Sequence, residues 1–228
     1  MLKRILHFIG KVFIWFFVLS VFSVIVFKFV PVPFTPLMAS RAIDNMMEGK
    51  ELAFSHDWEP LERISPNMQK AVIASEDANF LIHRGFDLKA MKKAMKNNKK
   101  GKRLKGGSTI SQQTSKNVFL WQGRSYLRKA LEAYFTVLIE VFWGKERIME
   151  VYLNSIEMGN NVYGAEAAAY HYYLRNAATL NIQQAASIAA ILPNPRKFKA
   201  TNSSPYIQRK RGRIAKYMRY VKLDYHKN

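Results

Sequence analysis

Cysteine is absent from the 228-residue sequence. That excludes disulfide staples and thiolate metal sites, while an oxidising compartment stays open to the chain. Acid is scarce: 16 Asp plus Glu stand against 36 Lys plus Arg, a net charge of +20 at pH 7. The excess narrows the partners to polyanions, namely nucleic acid, an anionic membrane face or a phosphate-bearing substrate. A sustained alternation of apolar and polar residues is missing, as is any internal repeat. Little is left for a sheet-based architecture.

What is present points to a folded, helical, membrane-attached protein. Apolar residues make up 49% of the chain and aromatics 13%, enough to bury one good core or two small lobes. Residues 12–27 (VFIWFFVLSVFSVIVF) form a run of 16 uncharged residues, preceded by Lys3, Arg4 and Lys11 and followed by Lys28. A helix of that length covers roughly 24 Å, and Phe29, Val30 and snorkelling lysines extend it towards a hydrocarbon core of about 30 Å. A single transmembrane helix over residues 12–30 is expected. The alternative is a cleaved signal peptide, which the length of the run and the lack of a small-x-small cleavage site oppose. Basic residues ahead of the span favour a cytoplasmic N-terminus, although Lys28 weakens the asymmetry. The rest of the chain then lies outside the cytoplasm, which counts against nucleic acid as a partner.

Residues 31–36 (PVPFTP) carry three prolines, so the anchor is expected to stop there and an extended connector to begin. Beyond Ser65 nearly everything reads as helix. Ser65 and Pro66 form an N-cap and first turn leading to Glu76; Asp87 caps a helix with Leu88, Met91 and Met95 on its apolar stripe. Over 125–142, Leu127, Leu131, Tyr134, Leu138 and Val141 recur at helical spacing. Residues 145–153, 163–173, 179–191 and 205–222 also read as helical, with Thr179 and Ser204 as caps and Pro193 as a stop. The expected organisation is a basic N-terminus (1–11), a span (12–30), a connector (31–58), a helical domain (59–222) and a short tail (223–228). Residues 89–105 hold nine Lys or Arg and no acid. They suit a solvated loop, or one lying beside an anionic bilayer.

Three clusters could carry chemistry. In "IASEDANFLIHRGFD", Glu76 and Asp77 close an apolar helix, with Phe80, His83 and Gly85 soon after. A carboxyl facing a partly dry cleft has its charged form disfavoured, which suits proton transfer near neutral pH; ordinary pairing of both acids with lysines is the alternative, and His83 alone reads as structural. In "GGSTISQQTSKN", Gly106 and Gly107 permit close approach of a bulky polar ligand, and Ser108 or Thr109 can cap a helix whose first amides would hold an anion. Gln112 and Gln113 suit sugar hydroxyls and amides, while Lys116 and then Arg124 add positive charge. In "RSYLRKALEAYF", Glu132 stands four residues after Arg128, either a surface pair or, with Phe135, one side of a cleft.

Together these segments resemble the family 51 glycosyltransferases, which polymerise peptidoglycan glycan strands. "EDANFLIHRGFD", "GGSTISQQTSKN", "RKALE" and "KERIMEVYLN" resemble that family's first four motifs in order, and the similarity covers roughly residues 60–220. "PVPFTPLM" and "FLWQGRSYLRK" look like its monofunctional, single-span members, without a transpeptidase domain. The resemblance implies a mostly α, lysozyme-like domain of two lobes behind one transmembrane helix, held at the inner membrane with the catalytic domain in the periplasm. It implies lipid II and the growing glycan strand as substrates, the bilayer as a partner, and no nucleic acid; association with division or elongation machinery stays open. By resemblance Glu76 is the general base, and Lys116, Arg124, Arg128 and Lys129 stabilise the departing pyrophosphate. Glu132 organises those cations or holds a divalent ion such as Mg2+ or Mn2+; otherwise no cofactor is implied. Asp77, Phe80, His83, Ser108, Thr109, Gln112 and Gln113 position substrate. Ser115 departs from the small apolar residue usual in the second motif, and "HYYLRNAATL" lacks the usual phenylalanine, glycine and lysine run. The rival readings are a muramidase or lytic transglycosylase, which needs neither the cations nor the anchor, and a membrane-bound basic scaffold without chemistry.

Overall fold

The computed structural model describes residues 1–49, 54–99, 107–123 and 125–225. Helix α1, Leu2–Phe29, is unbroken. From Lys3 to Phe29 it is long and apolar enough to cross a membrane. Its first half bares Phe13, Trp15 and Phe17, as a lipid-facing helix does, but its second half is docked on the domain. Ser20 and Val24 are buried. The Ser20 hydroxyl lies 2.7 Å from the Tyr134 hydroxyl, and the Trp143 indole donates to the carbonyl of Val24 at 2.6 Å. Arg147 donates to the carbonyls of Phe27 and Val30 at 2.9 and 2.6 Å. Carbonyls at a helix C-terminus lack intrahelical donors, and a guanidinium there also opposes the negative end of the dipole.

The chain leaves α1 in an extended conformation at Val30, as three prolines require. The connector nevertheless contains a helix, α2, Pro36–Met47. Thr35 accepts from the Met38 N–H at 3.3 Å, and Pro36 sits where a missing N–H costs nothing. The proline that reads as a third stop signal is in fact a start.

Helix α3, Pro66–Glu76, opens on Ser65, whose hydroxyl accepts from Asn67 N–H and donates to the Leu180 carbonyl. Helices α4 (Leu88–Lys99), α5 (Ile110–Phe119), α6 (Tyr126–Phe142), α7 (Gly144–Ser155), α8 (Ala165–Tyr173), α9 (Ile182–Ile191) and α10 (Pro205–Met218) follow. They gather in two groups: α3, α9 and α10 pack on one another, while α5, α6 and α7 form a second group that α1 and α2 join through α6 and α5. A continuous apolar core, with Met68, Ile73, Ile139, Met149 and Ile188 fully buried, runs through both groups.

Two expected boundaries differ. Helix α9 starts after Asn181, which shares a capping box with Gln184, and Thr179 instead ends a 3-10 turn, Ala177–Thr179. Helix α10 ends at Met218 rather than near 222. A small sheet also appears where a helix from 163 was expected. Strands β1 (Ser55–His56), β2 (Glu157–Gly159) and β3 (Val162–Tyr163) lie in the order β1-β3-β2, with β1 parallel and β2 antiparallel to β3. Strands of two or three residues are too short to display alternation. Gly164, at φ +84, turns from β3 into α8; a Cβ there would sit 2.9 Å from the Asn154 carbonyl oxygen.

Candidate active site

Glu76 is the last residue of α3, and Asp77 leaves helical geometry at φ −156, ψ 77. The half-buried Glu76 carboxylate accepts from the Ser75 hydroxyl at 2.9 Å and from the Gln113 amide at 3.3 Å. It lines a cavity of about 150 Å3 with Asp77, Asn79, Asp87 and the exposed Ser108. Asp87 caps α4 through the Ala90 N–H at 2.8 Å and accepts from Asn79 at 2.7 Å. Those two donors hold its carboxyl below the usual range.

One turn along α5 from Gln113, Lys116 is only partly exposed. Burial pushes its ammonium down from the usual lysine range, and the Glu132 carboxylate partly opposes that. Glu132, on α6, is 2% exposed. Arg128 donates to one of its oxygens at 3.3 Å and Lys129 to the other. The spacing of Arg128, Lys129 and Glu132 on one helix produces this, but the acid is buried rather than a surface pair. Helices α5 and α6 are pinned together by Ser115, fully buried, whose hydroxyl lies within hydrogen-bond reach of the Gln112 and Glu132 carbonyls and the Thr136 hydroxyl. The hydroxyl that departs from the motif is therefore satisfied. Helix α5 links Glu76 and Glu132, with Gln113 reaching the first and Lys116 beside the second. The geometry thus places a hydrogen-bonded carboxylate near a cluster of cations organised by a buried acid.

A model of the family described as Transglycosylase matches residues 44–219. The chain belongs to this family. It is 50% identical over 224 residues to the biosynthetic peptidoglycan transglycosylase of Pseudomonas savastanoi pv. phaseolicola, covering 98% of this chain and 95% of that one. The proteins of the same name from Caulobacter vibrioides and Bdellovibrio bacteriovorus are each 53% identical, over 204 and 206 residues, covering 90% of this chain and 86% and 82% of theirs. The transglycosylase domain is lysozyme-like and mostly helical behind its apolar N-terminal helix, the fold that the resemblance implied.

Several of the expected site residues of this transglycosylase also build its framework. Asp77 is buried; it accepts from His83 at 2.9 Å and from the Ile110 N–H at 3.0 Å, so it ties the end of α3 to the start of α5. Gln112 is 2% exposed, and its amide oxygen accepts from the Thr109 N–H at 3.0 Å while Thr109 caps the Gln112 N–H at 3.1 Å. The Gln112 side-chain oxygen is thus engaged in the cap of α5. At the start of α5, where an anion site was expected, Asp77 takes the Ile110 amide and the Thr109 hydroxyl takes the Gln112 amide. Phe80 is fully buried, with the Lys145 ammonium 4.8 Å from its ring centre. Phe135 is in the core, stacked on Phe119 at 4.6 Å, not on the cleft side with Glu132. Gly106 and Arg124 lie outside the described residues, as does most of the basic stretch after Lys99.

Glu132 fits a divalent ion poorly, since both oxygens already engage cations. Among the described residues, no three His, Asp or Glu gather as a metal site. Sequence reasoning missed an ion pair behind the site, with Lys145 buried and Glu140 partly so. Lys145 donates to Glu140 at 2.7 Å, and Ser111 donates to the same oxygen. Gly85, at φ +82, presses on this wall: a Cβ there would lie 2.8 Å from Thr136 and 3.1 Å from Glu140. Lys145 opens the fourth motif segment, but nothing in the sequence shows that its partner is Glu140. Arg41, on α2, pairs with the buried Glu157 at 3.4 Å, and burial raises that carboxyl despite the guanidinium.

Proposed function

We propose that this transglycosylase elongates peptidoglycan glycan strands for the cell wall, with lipid II as acceptor and the lipid-linked strand as donor. Glu76 takes the proton from the GlcNAc 4-hydroxyl of the acceptor. That oxygen forms a bond to C1 of the donor MurNAc as the bond from C1 to the pyrophosphate oxygen breaks. The electron pair departs with undecaprenyl pyrophosphate, and inversion turns an α linkage into a β-1,4 bond. Gln113 steadies the base, and the exposed Ser108 lies where a sugar can reach it.

Charge grows on the leaving diphosphate, so fixed cations stabilise the transition state more than the ground state. Lys116, Arg128 and Lys129 fill that role, with Arg124 as a fourth cation from the sequence motif. Glu132 holds Arg128 and Lys129 in place, which gives this acid an organising function without a metal ion. The observation that carries the reading is the single helix, α5, whose Gln113 meets the base and whose Lys116 meets the cation cluster.

The apolar helix α1 suits a single-pass anchor with its basic end in the cytoplasm and the domain in the periplasm, at the inner membrane. Purified full-length protein with labelled lipid II tests the whole scheme: long strands are expected from the wild type and none from a folded Glu76→Gln variant. Shortening of preformed glycan would identify a lytic enzyme instead, and unchanged synthesis by the variant would remove Glu76 from the chemistry.

A further inference from the structure

A furrow follows α3 away from the Glu76 cavity. Ala78 lines both that cavity and the furrow's first part, a space of about 510 Å3 bordered by Tyr217 and Tyr220 at the end of α10. The second part, of about 520 Å3, lies further back along α3, where Asn67 and Lys70 face Lys216 and Arg219 of α10. Asn67, Lys70 and Ala74 recur at helical spacing, so the two spaces succeed one another along one face.

The chemistry changes along its length. Nearest the base are phenol rings, 52% exposed at Tyr217 and 69% at Tyr220, with Lys222 and Asp224 also in the lining. Beyond them the lining has three cations and no acid. Among the described residues Lys70, Lys216 and Arg219 have no ion-pair partner. Unpaired cations in a concave place favour a carboxylate-bearing ligand, and exposed aromatic rings offer flat apolar faces to pyranose rings.

We propose that this furrow holds the nascent glycan strand beside the catalytic centre, with sugars against Tyr217 and Tyr220 and stem-peptide carboxylates against Lys70, Lys216 and Arg219. The proposal rests on the polymerase reading. An anionic bilayer is the competing polyanion, but the anchor packs on α6 while the furrow is formed by α3, α9 and α10, and a concave channel admits a strand rather than a plane.

The test uses full-length protein and three probes: uncrosslinked glycan strands with stem peptides, the same strands stripped of peptides, and phosphatidylglycerol vesicles. A Lys70→Gln, Lys216→Gln, Arg219→Gln variant is expected to bind peptide-bearing strands about tenfold more weakly, from the loss of three partly screened charges, and stripped strands as wild type does. Tyr217→Ala with Tyr220→Ala weakens binding of both. With lipid II, the triple variant joins the first two units at the wild-type rate but releases shorter strands. Unchanged affinity for peptide-bearing strands overturns the proposal, as does a loss confined to vesicles. A wild type that binds strands yet joins no lipid II would instead overturn the polymerase reading, leaving the furrow established as a strand site.

Discussion

Adjacent glutamines separate framework from chemistry at the residue scale. Gln112 caps α5 and Gln113 meets Glu76, because successive helical residues point about 100° apart. Gln112→Ala should cost about 1 kcal/mol of stability, the usual worth of a lost cap, measured as denaturation midpoint, while turnover of the folded enzyme changes little. Gln113→Ala should do the reverse, lowering kcat with the midpoint intact. Lys116 supplies a pH signature. Burial lowers its pKa, so its charge, and the stabilisation of a leaving diphosphate, is lost as pH rises through a value below the usual lysine range. The alkaline limb of kcat should therefore fall early, and Lys116→Arg, protonated at every working pH, should move that limb upward. An identical limb in both proteins would assign it to another group. Arg124→Ala should lower turnover more than it lowers the midpoint.

At the scale of elements, legibility follows length. The α3, α5, α6 and α10 segments show caps or periodicity that can be read, and Glu76, Gln113, Lys116 and Glu132 fall on the first three of them. The two- and three-residue strands could not announce themselves, and α2 was hidden because its proline reads equally as a break. Exposure was equally hard to read on α6. Leu127 and Val141, on the expected core stripe, are 66% and 69% exposed, while Tyr134 on the same stripe meets the anchor through Ser20 and Phe16. A stripe that packs on a membrane helix looks, in sequence, like one that packs on a core. Deleting residues 1–30 should weaken vesicle association without abolishing catalysis, the exposed apolar side of α6 leaving some affinity. Flotation of the truncated protein measures this, and full retention would show that α1 adds nothing to binding.

For the whole molecule, net charge and covalent make-up were readable at once, whereas the meeting of Glu76 with Gln113, and of Lys145 with Glu140, depends on contacts between residues distant in the chain. The same distance concealed Asp77, which looks like half of a catalytic acid pair but is bonded to His83 and the Ile110 amide. A surplus of +20 predicts salt-sensitive attachment to anionic vesicles, because screening shortens its reach from about 10 Å at 0.1 M salt to about 3 Å at 1 M. The anchored protein should stay bound through this change while the truncated form is released.

Arg147 and Trp143 grip the last turns of α1 by their carbonyls. If α1 spans the bilayer as proposed, these rivets tie the height of the domain above the headgroups to the depth of its anchor. A lipid substrate would then be met at a level that the span itself sets.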